Sequence, residues 1–392
     1  MNQISIVFLL CITTFFSQCK KPVDRIENKQ EKKDNTPTAL VLFSVGESRI
    51  VHFDLTEERA ALGSSFKTGD KITTGPKARV DIQINENAVI RLGANTKLDF
   101  VSIAQNSSGS SDTKLQLTNG KIFANVKKEN KNEDFVVSTP TVIAGVRGTS
   151  FILEVNREES AVLKVVDGSV AVSPRVPIFE KIPLEEIDKN TGLKKINQTL
   201  QGAQVIIEKD QAIELPANDR VLASEKLDNK TIKEIISRLT DAANTKPESA
   251  EFTKNEQQEL KTIVSVDPKL ASEMIRLNED LSSGRIDEAK ADELEKRRTA
   301  LENQISNKQE VEKTKFNESI VVEPKKLQSN RDIIKYYERI EKIILINGKT
   351  EVGAIINQED SIMVVHTENG IVRINTNEII EVIYDYQTKY RF

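Results

Sequence analysis

The feature that most constrains this chain is a hydrophobic period that changes twice along its length. Between residues 39 and 175 apolar side chains recur at every second position in short runs. Val80, Ile82 and Ile84 alternate with Arg79, Asp81 and Gln83, Leu115 alternates with Leu117, and Val89 and Leu92 flank a further short run. Lys121–Val126, Phe135–Val137, Phe151–Val155, Val162–Val166 and Val170–Val172 follow. A strand sends successive side chains to opposite faces, so this pattern describes half-buried strands. Asn119-Gly120 and Asp167-Gly168 are turn dipeptides between them. Many short strands punctuated in this way predict an all-β sandwich, barrel or solenoid. Asn106–Asp112, rich in Ser and Gly, reads as a loop. Strand-like runs continue at Ala203–Glu208 and Gln211–Leu215, and Pro174, Pro177 and Pro183 mark an irregular connection, so the β domain is expected to extend over 39–222.

The period then lengthens. Leu227, Ile232, Ile235, Ile236 and Leu239 fall on one helical face, with Asp228 placed to cap the helix start. Phe252, Leu260, Ile263 and Val264 suggest a second helix. Asp267-Pro268 opens a third, striped by Leu270, Met274, Leu277 and Leu281. A charge-rich stretch with sparse apolar positions, including Leu294 and Leu301, completes a helical region over 223–312. Residues 313–337 read as a linker. Over 338–392 the period of two returns: five short runs with Asn347-Gly348 and Asn369-Gly370 turns predict a small β-barrel.

The order of motifs in the first block resembles the FecR domain. The matching stretches are Gly69–Gly75, Ala88–Gly93, Leu115–Ile122, Phe135–Pro140, Ala144–Phe151 and Val165–Val170, together spanning about 40–175. The resemblance implies an extracytoplasmic β module with no catalytic residues to transfer. Regulators of that family carry an anti-sigma segment and a membrane span ahead of the domain; neither is found here, so control of a sigma factor is not expected to carry over. Within the Ala144–Phe151 motif, Gly145 and Gly148 permit a tight chain path, and Arg147 is the one candidate ligand contact. The C-terminal block is similar to SH3-like or Sm-like small barrels. RNA binding in the Sm-like family is not expected of an exported chain.

Export is expected from the N-terminus. The apolar run Ile6–Phe16 is too short to span a bilayer and suits the core of a secretory signal. It leads through Ser17-Gln18 to Cys19 and then directly to Lys20-Lys21. A cysteine at this place resembles the lipobox of bacterial lipoproteins, most closely those of spirochaetes that carry a FecR domain. The resemblance implies cleavage after residue 18, palmitate or related acyl chains on Cys19, and a polar tether over 19–38. Membrane attachment through lipid at Cys19 is then the expected localisation, in the cell envelope on the periplasmic face of the outer or inner membrane.

Composition bounds the chemistry. The chain has 392 residues and a net charge of −4, which does not favour nucleic acid as a partner. Cys11 and Cys19 are its two cysteines, and His52 and His366 its two histidines, far apart in sequence. No catalytic residues, metal ligands or cofactor motif are expected: Gly63…Gly69-Asp70-Lys71 lacks the ending of a phosphate loop, and no nucleophile elbow occurs. The expected function is therefore that of a non-catalytic, lipid-anchored envelope protein that binds or scaffolds other envelope proteins through its FecR-like domain. A surface adhesin that contacts host factors and a signal-input module are the alternatives. Cleavage of the linkers is expected to leave a C-terminal part held only peripherally.

Overall fold

The computed structural model describes residues 39–386 except 86–87, 106–110, 128–133, 157–158, 216–220, 223, 225–226, 283–286, 307–309, 311–312, 315–326, 328, 338, 360 and 385. The expected signal segment, Cys19, the expected tether and most of the expected 313–337 linker lie outside the described residues.

The alternating block builds a two-sheet sandwich. Its strands are β1 (Ala39–Val45), β2 (Ser48–Val51), β3 (Glu57–Arg59), β4 (Ser65–Phe66), β5 (Lys71–Thr74) and β6 (Arg79–Ile84). They continue with β7 (Ala88–Leu92), β8 (Lys97–Gln105), β9 (Ser111–Val126), β10 (Asp134–Ser138), β11 (Val142–Val146) and β12 (Thr149–Val155). β13 (Ala161–Asp167), β14 (Ser169–Pro174), β15 (Val205–Glu208), β16 (Gln211–Leu215) and β17 (Glu248–Ser249) complete them. One sheet, A, runs β4-β1-β6-β7-β9-β12-β13-β16-β17. The other, B, runs β3-β2-β5-β8-β9-β10-β11-β14-β15. The pairs are antiparallel except β9–β10, which is parallel. The inward members of each alternation, such as Ile82, Ile90 and Phe151 from A and Ile72, Phe100 and Val137 from B, form one continuous core.

β9 belongs to both sheets. Its first half pairs with β8 and β10, and its second half, from Gly120, pairs with β7 and β12. The Asn119-Gly120 dipeptide is thus a corner inside one strand and not the hairpin its composition suggests. Gly120 has φ +95°, and a Cβ there would sit 2.4 Å from the Thr96 Cα and 2.8 Å from the Asn95 carbonyl oxygen. Only glycine takes the bend and the close approach together. Gly168, at φ +84°, does the same where the chain passes from β13 to β14: its Cβ would meet the Gly148 carbonyl at 2.4 Å.

Seven α-helices follow among the described residues: α1 (Leu184–Lys189), α2 (Thr191–Gly202), α3 (Asn229–Ala243), α4 (Lys254–Lys261), α5 (Pro268–Ser282), α6 (Glu288–Ser306) and α7 (Asn330–Tyr337). Asp228 caps α3 as its sequence predicts, accepting from the Thr231 N–H, and Ile235 and Leu239 bury its stripe. α1 and α2 occupy a stretch whose prolines suggested only an irregular connection. Pro183 instead stands just ahead of α1, and Asn190 accepts from Gly192 and Leu193 to start α2. α7 lies at the end of the expected linker, with Ile333 and Tyr337 buried.

The C-terminal block forms a separate five-stranded sheet from β18 (Glu341–Leu345), β19 (Thr350–Glu359), β20 (Ile362–Thr367), β21 (Gly370–Asn375) and β22 (Ile379–Ile383). Its order is β21-β20-β19-β18-β22, and β21 and β22 do not pair, so the sheet is open and not the closed barrel expected from its turns. One face carries its own apolar cluster around Ile343, Ile355 and Val365. The other face joins a second core.

That second core is organised by β1. A bulge at Leu42 shifts the β1–β6 register between Val41 and Phe43. Before it, Ala39 and Val41 point into the sandwich and Leu40 points out; after it, Phe43 and Val45 also point out. The bulge changes the parity of the strand. Leu40, Leu42, Phe43 and Val45 therefore meet Met274 and Leu277 of α5, Leu301 and Ile305 of α6, α7, and Ala354 and Val364 of the C-terminal sheet.

Gly120→Ala is expected to destabilise the protein by about 2 kcal/mol or more, since a left-handed φ costs an L-residue ~1–2 kcal/mol before any clash is relieved. Urea denaturation of the two chains, compared at equal m-value, reads the difference.

Candidate functional site

The outer face of sheet A carries the polar members of the alternation, and three of them on β6 and β7 are out of water. Asp81 and Gln83 on β6 and Arg91 on β7 are buried, Arg91 completely. What covers them is α4 and the chain after it, residues 262–266.

Arg91 uses its whole guanidinium. Nε donates to Asp81 Oδ1 at 2.6 Å and Nη2 to Asp81 Oδ2 at 2.7 Å, a bidentate pair across β6 and β7. Nη1 donates to Glu259 Oε2 at 2.8 Å, to the Glu259 carbonyl at 3.1 Å and to Thr262 Oγ1 at 2.7 Å. Nη2 also donates to the Thr262 carbonyl at 2.8 Å. Asp81 Oδ2 accepts from the Val264 N–H at 2.7 Å, and Gln83 Oε1 from the Val266 N–H at 3.2 Å. Burial works to lower the Arg91 pKa; the hydrogen bonds and charges of Asp81 and Glu259 outweigh it and hold the guanidinium above its ordinary value. The group stays charged and fully hydrogen-bonded, the condition under which a buried ion pair is tolerated.

A second set of charges holds the start of α4. Thr253 and Glu256 form a capping box. Glu256 also lies 3.1 Å from Lys164 on β13 and 3.4 Å from Lys121 on β9, and Lys121 reaches Glu154 on β12 at 2.6 Å. Burial would raise the Glu256 pKa, but the Thr253 N–H and the two lysines overcome it, and the carboxyl titrates below its usual range. The residues of α4 that are buried are Glu256 and Glu259. The helix expected from Phe252, Leu260, Ile263 and Val264 is therefore shorter than its apolar spacing suggested, and its docking is electrostatic.

Beside α4 an open cleft of about 730 Å³ runs along the corners of the sandwich. Lys77, Arg79 and Lys121 line its sheet side, with Gly93, Ala94 and Gly120 at its floor, and Asn255, Glu256 and Glu259 form the helix side. Arg79 Nε lies 3.4 Å from Glu259.

Arg147 is elsewhere. It is exposed in the corner between β11 and β12. Thr149, two residues on, pairs with Val126, at the opposite end of the β9–β12 ladder from Gly120, and Arg147 is not among the cleft residues. The two histidines are also apart. His52 Nδ1 is 3.0 Å from buried Asp70, which accepts the Phe53 and Lys67 N–H groups as well. His366 is hydrogen-bonded to Tyr337 Oη at 2.6 Å, and burial, aided by the charge of Lys77, lowers its pKa. Among the described residues no three His, Cys, Asp or Glu side chains gather as a metal site, and no helix is long and apolar enough to cross a membrane.

Residues 70–171 match the FecR protein family. The matched span begins at the buried Asp70 and ends in β14, so it takes in β5–β13, including Asp81, Arg91 and Lys121, and leaves out α4. No curated protein matches the chain. Two crystal structures of a candidate anti-sigma factor from Parabacteroides distasonis are similar at 15% and 16% identity, with TM-scores of 0.27 and 0.26. Each match covers 37% of this chain and 54% of that one, so the chain spans about half the length of the solved structures it matches. Likeness at that level sets neither the overall fold nor a function.

Arg91→Ala is expected to cost about 3–5 kcal/mol, because it leaves Asp81 and Glu259 buried without their partner; thermal and urea unfolding read the loss. The pH dependence of α4 follows from Glu256. A carboxyl depressed in the folded state contributes stability above its unfolded pKa, about 4.3, and loses it as pH falls through the folded value. Amide exchange of residues 256–262 should therefore be steady from neutral pH down to that range and quicken below it, beyond the intrinsic pH trend of exchange.

Proposed function

We propose that the protein is a non-catalytic, lipid-anchored envelope protein that binds or scaffolds other envelope components through its FecR-like domain. The observation that carries this reading is the FecR match over residues 70–171, in a chain whose residues 6–19 have the pattern of a secretory signal ending in a lipobox cysteine. The β sandwich gives such a module a rigid surface, and Asp81, Arg91 and Asp70 fasten its elements to one another.

Lipid at Cys19 fixes the location. A single acyl chain gives marginal membrane residence, while two or more give stable anchoring. The tether then lets the sandwich, which starts at Ala39, stand away from the headgroups. The second core joins β1 to the C-terminal sheet, so cleavage in the linker would leave the C-terminal part attached peripherally by packing.

Cells producing the full chain and fed labelled palmitate should incorporate label that is lost in Cys19→Ala. In detergent phase separation the parent protein should enter the detergent phase and the variant the aqueous phase. Label retained in the variant, or a parent protein found wholly in the aqueous phase, overturns the anchor.

A further inference from the structure

We propose that the outer face of sheet A is a docking site for an acidic polypeptide segment of a partner protein, and that the chain's own residues 253–266 occupy it in this structure. The inference rests on the reading of the chain as a binding module, and not on its lipid anchor.

The first argument is how the face holds its occupant. Asp81 and Gln83, two residues apart on β6, accept the N–H groups of Val264 and Val266, two residues apart in the segment that follows α4. Arg91 donates to the carbonyls of Glu259 and Thr262. Side chains on a sheet are thus reading main-chain atoms of the segment above them. Main-chain recognition gives affinity without fixing side-chain identity, as in other modes of peptide capture.

The second argument is charge. Arg79, Arg91, Lys121 and Lys164 come from four different strands, β6, β7, β9 and β13, and converge on Glu256 and Glu259. Glu154 on β12 shares Lys121. The Arg91–Glu259 pair at its centre is buried, while Arg79, Lys121 and Lys164 around it are partly exposed and open to screening by salt.

The third argument is access. The cleft beside α4 remains open along the Lys77, Arg79 and Lys121 side. A second segment can enter there and take over the contacts stepwise as the chain's own segment leaves. The fitting partner has two carboxylates spaced like Glu256 and Glu259, followed by an extended stretch whose N–H groups repeat the spacing of Val264 and Val266. The chain's own segment holds the face closed because its covalent connection gives it an effective concentration of order millimolar.

The test uses the full chain and a fluorescein-labelled synthetic peptide with the sequence of residues 251–268. Glu256→Gln with Glu259→Gln weakens the internal occupant while leaving the face intact. That variant should bind the peptide at least about tenfold more tightly than the parent chain, and its residues 262–266 should exchange amide protons faster. Adding Lys121→Ser and Lys164→Ser should abolish the gain, and salt should weaken the binding. Should the double variant fail to fold, Val266→Pro, which removes the N–H that Gln83 accepts, replaces it. A folded variant that binds the peptide no better than the parent, or that binds a scrambled peptide equally well, overturns the proposal and leaves the face an internal packing contact. A chain that captures the peptide yet stays in the aqueous phase would lose the anchor and keep the face.

Discussion

A strand buried on both faces decides where the rest of this molecule can sit. Without the bulge at Leu42, strict alternation would send Phe43 and Val45 into the sandwich and leave one outward face too sparse to hold a second layer. With it, β1 contributes to the sandwich and to a core shared with α5, α6, α7 and the C-terminal sheet. Among the described residues the apolar partners of those later elements in the sandwich are the outward side chains of β1 and the partly buried Leu62, so their placement depends chiefly on that one strand. Arg339 adds a polar fastening at the same place: it reaches Glu47, just after β1, and Glu341 on β18.

The FecR-matched region and the helical segment are joined differently. Along β6 and β7 the inward residues make an ordinary sandwich core, and the outward ones make a buried polar layer sealed by α4 and residues 262–266. Both layers are specific, but for opposite reasons. Apolar burial is tolerant of direction, whereas the Arg91 fork accepts its partners only in the arrangement seen, bidentate to Asp81 and shared with Glu259 and Thr262.

Much of the architecture was legible because it follows local rules. The period of two over 39–175 marked the strands, Asp228 marked the start of α3, and the stripe Ile235, Leu239 was buried as its spacing implies. The misreadings share a cause. Asn119-Gly120 has hairpin chemistry, yet its positive φ serves a corner within β9 because Thr96 packs against it. Arg79, Asp81 and Gln83 are legible as the polar members of an alternation, but the main-chain groups that bury two of them lie 183 positions away. Arg91 was unremarked for the same reason: alternation reports which face a residue is on, and not what lies over that face. The open C-terminal sheet was beyond reach too, since closure depends on whether β21 and β22 meet, and no local pattern encodes that.

The long reach of the Arg91 fork has a kinetic side. Asp81 and Arg91 are neighbours early in the chain, but Glu259, Thr262 and Val264 emerge much later during synthesis. The sandwich can therefore close while that polar pair is still hydrated, and the layer above it is added afterwards, once a large loop has been closed. Dehydration of the ion pair therefore waits on residues 259–264, so a chain stalled before residue 264 would carry a β core whose outer charges still face water.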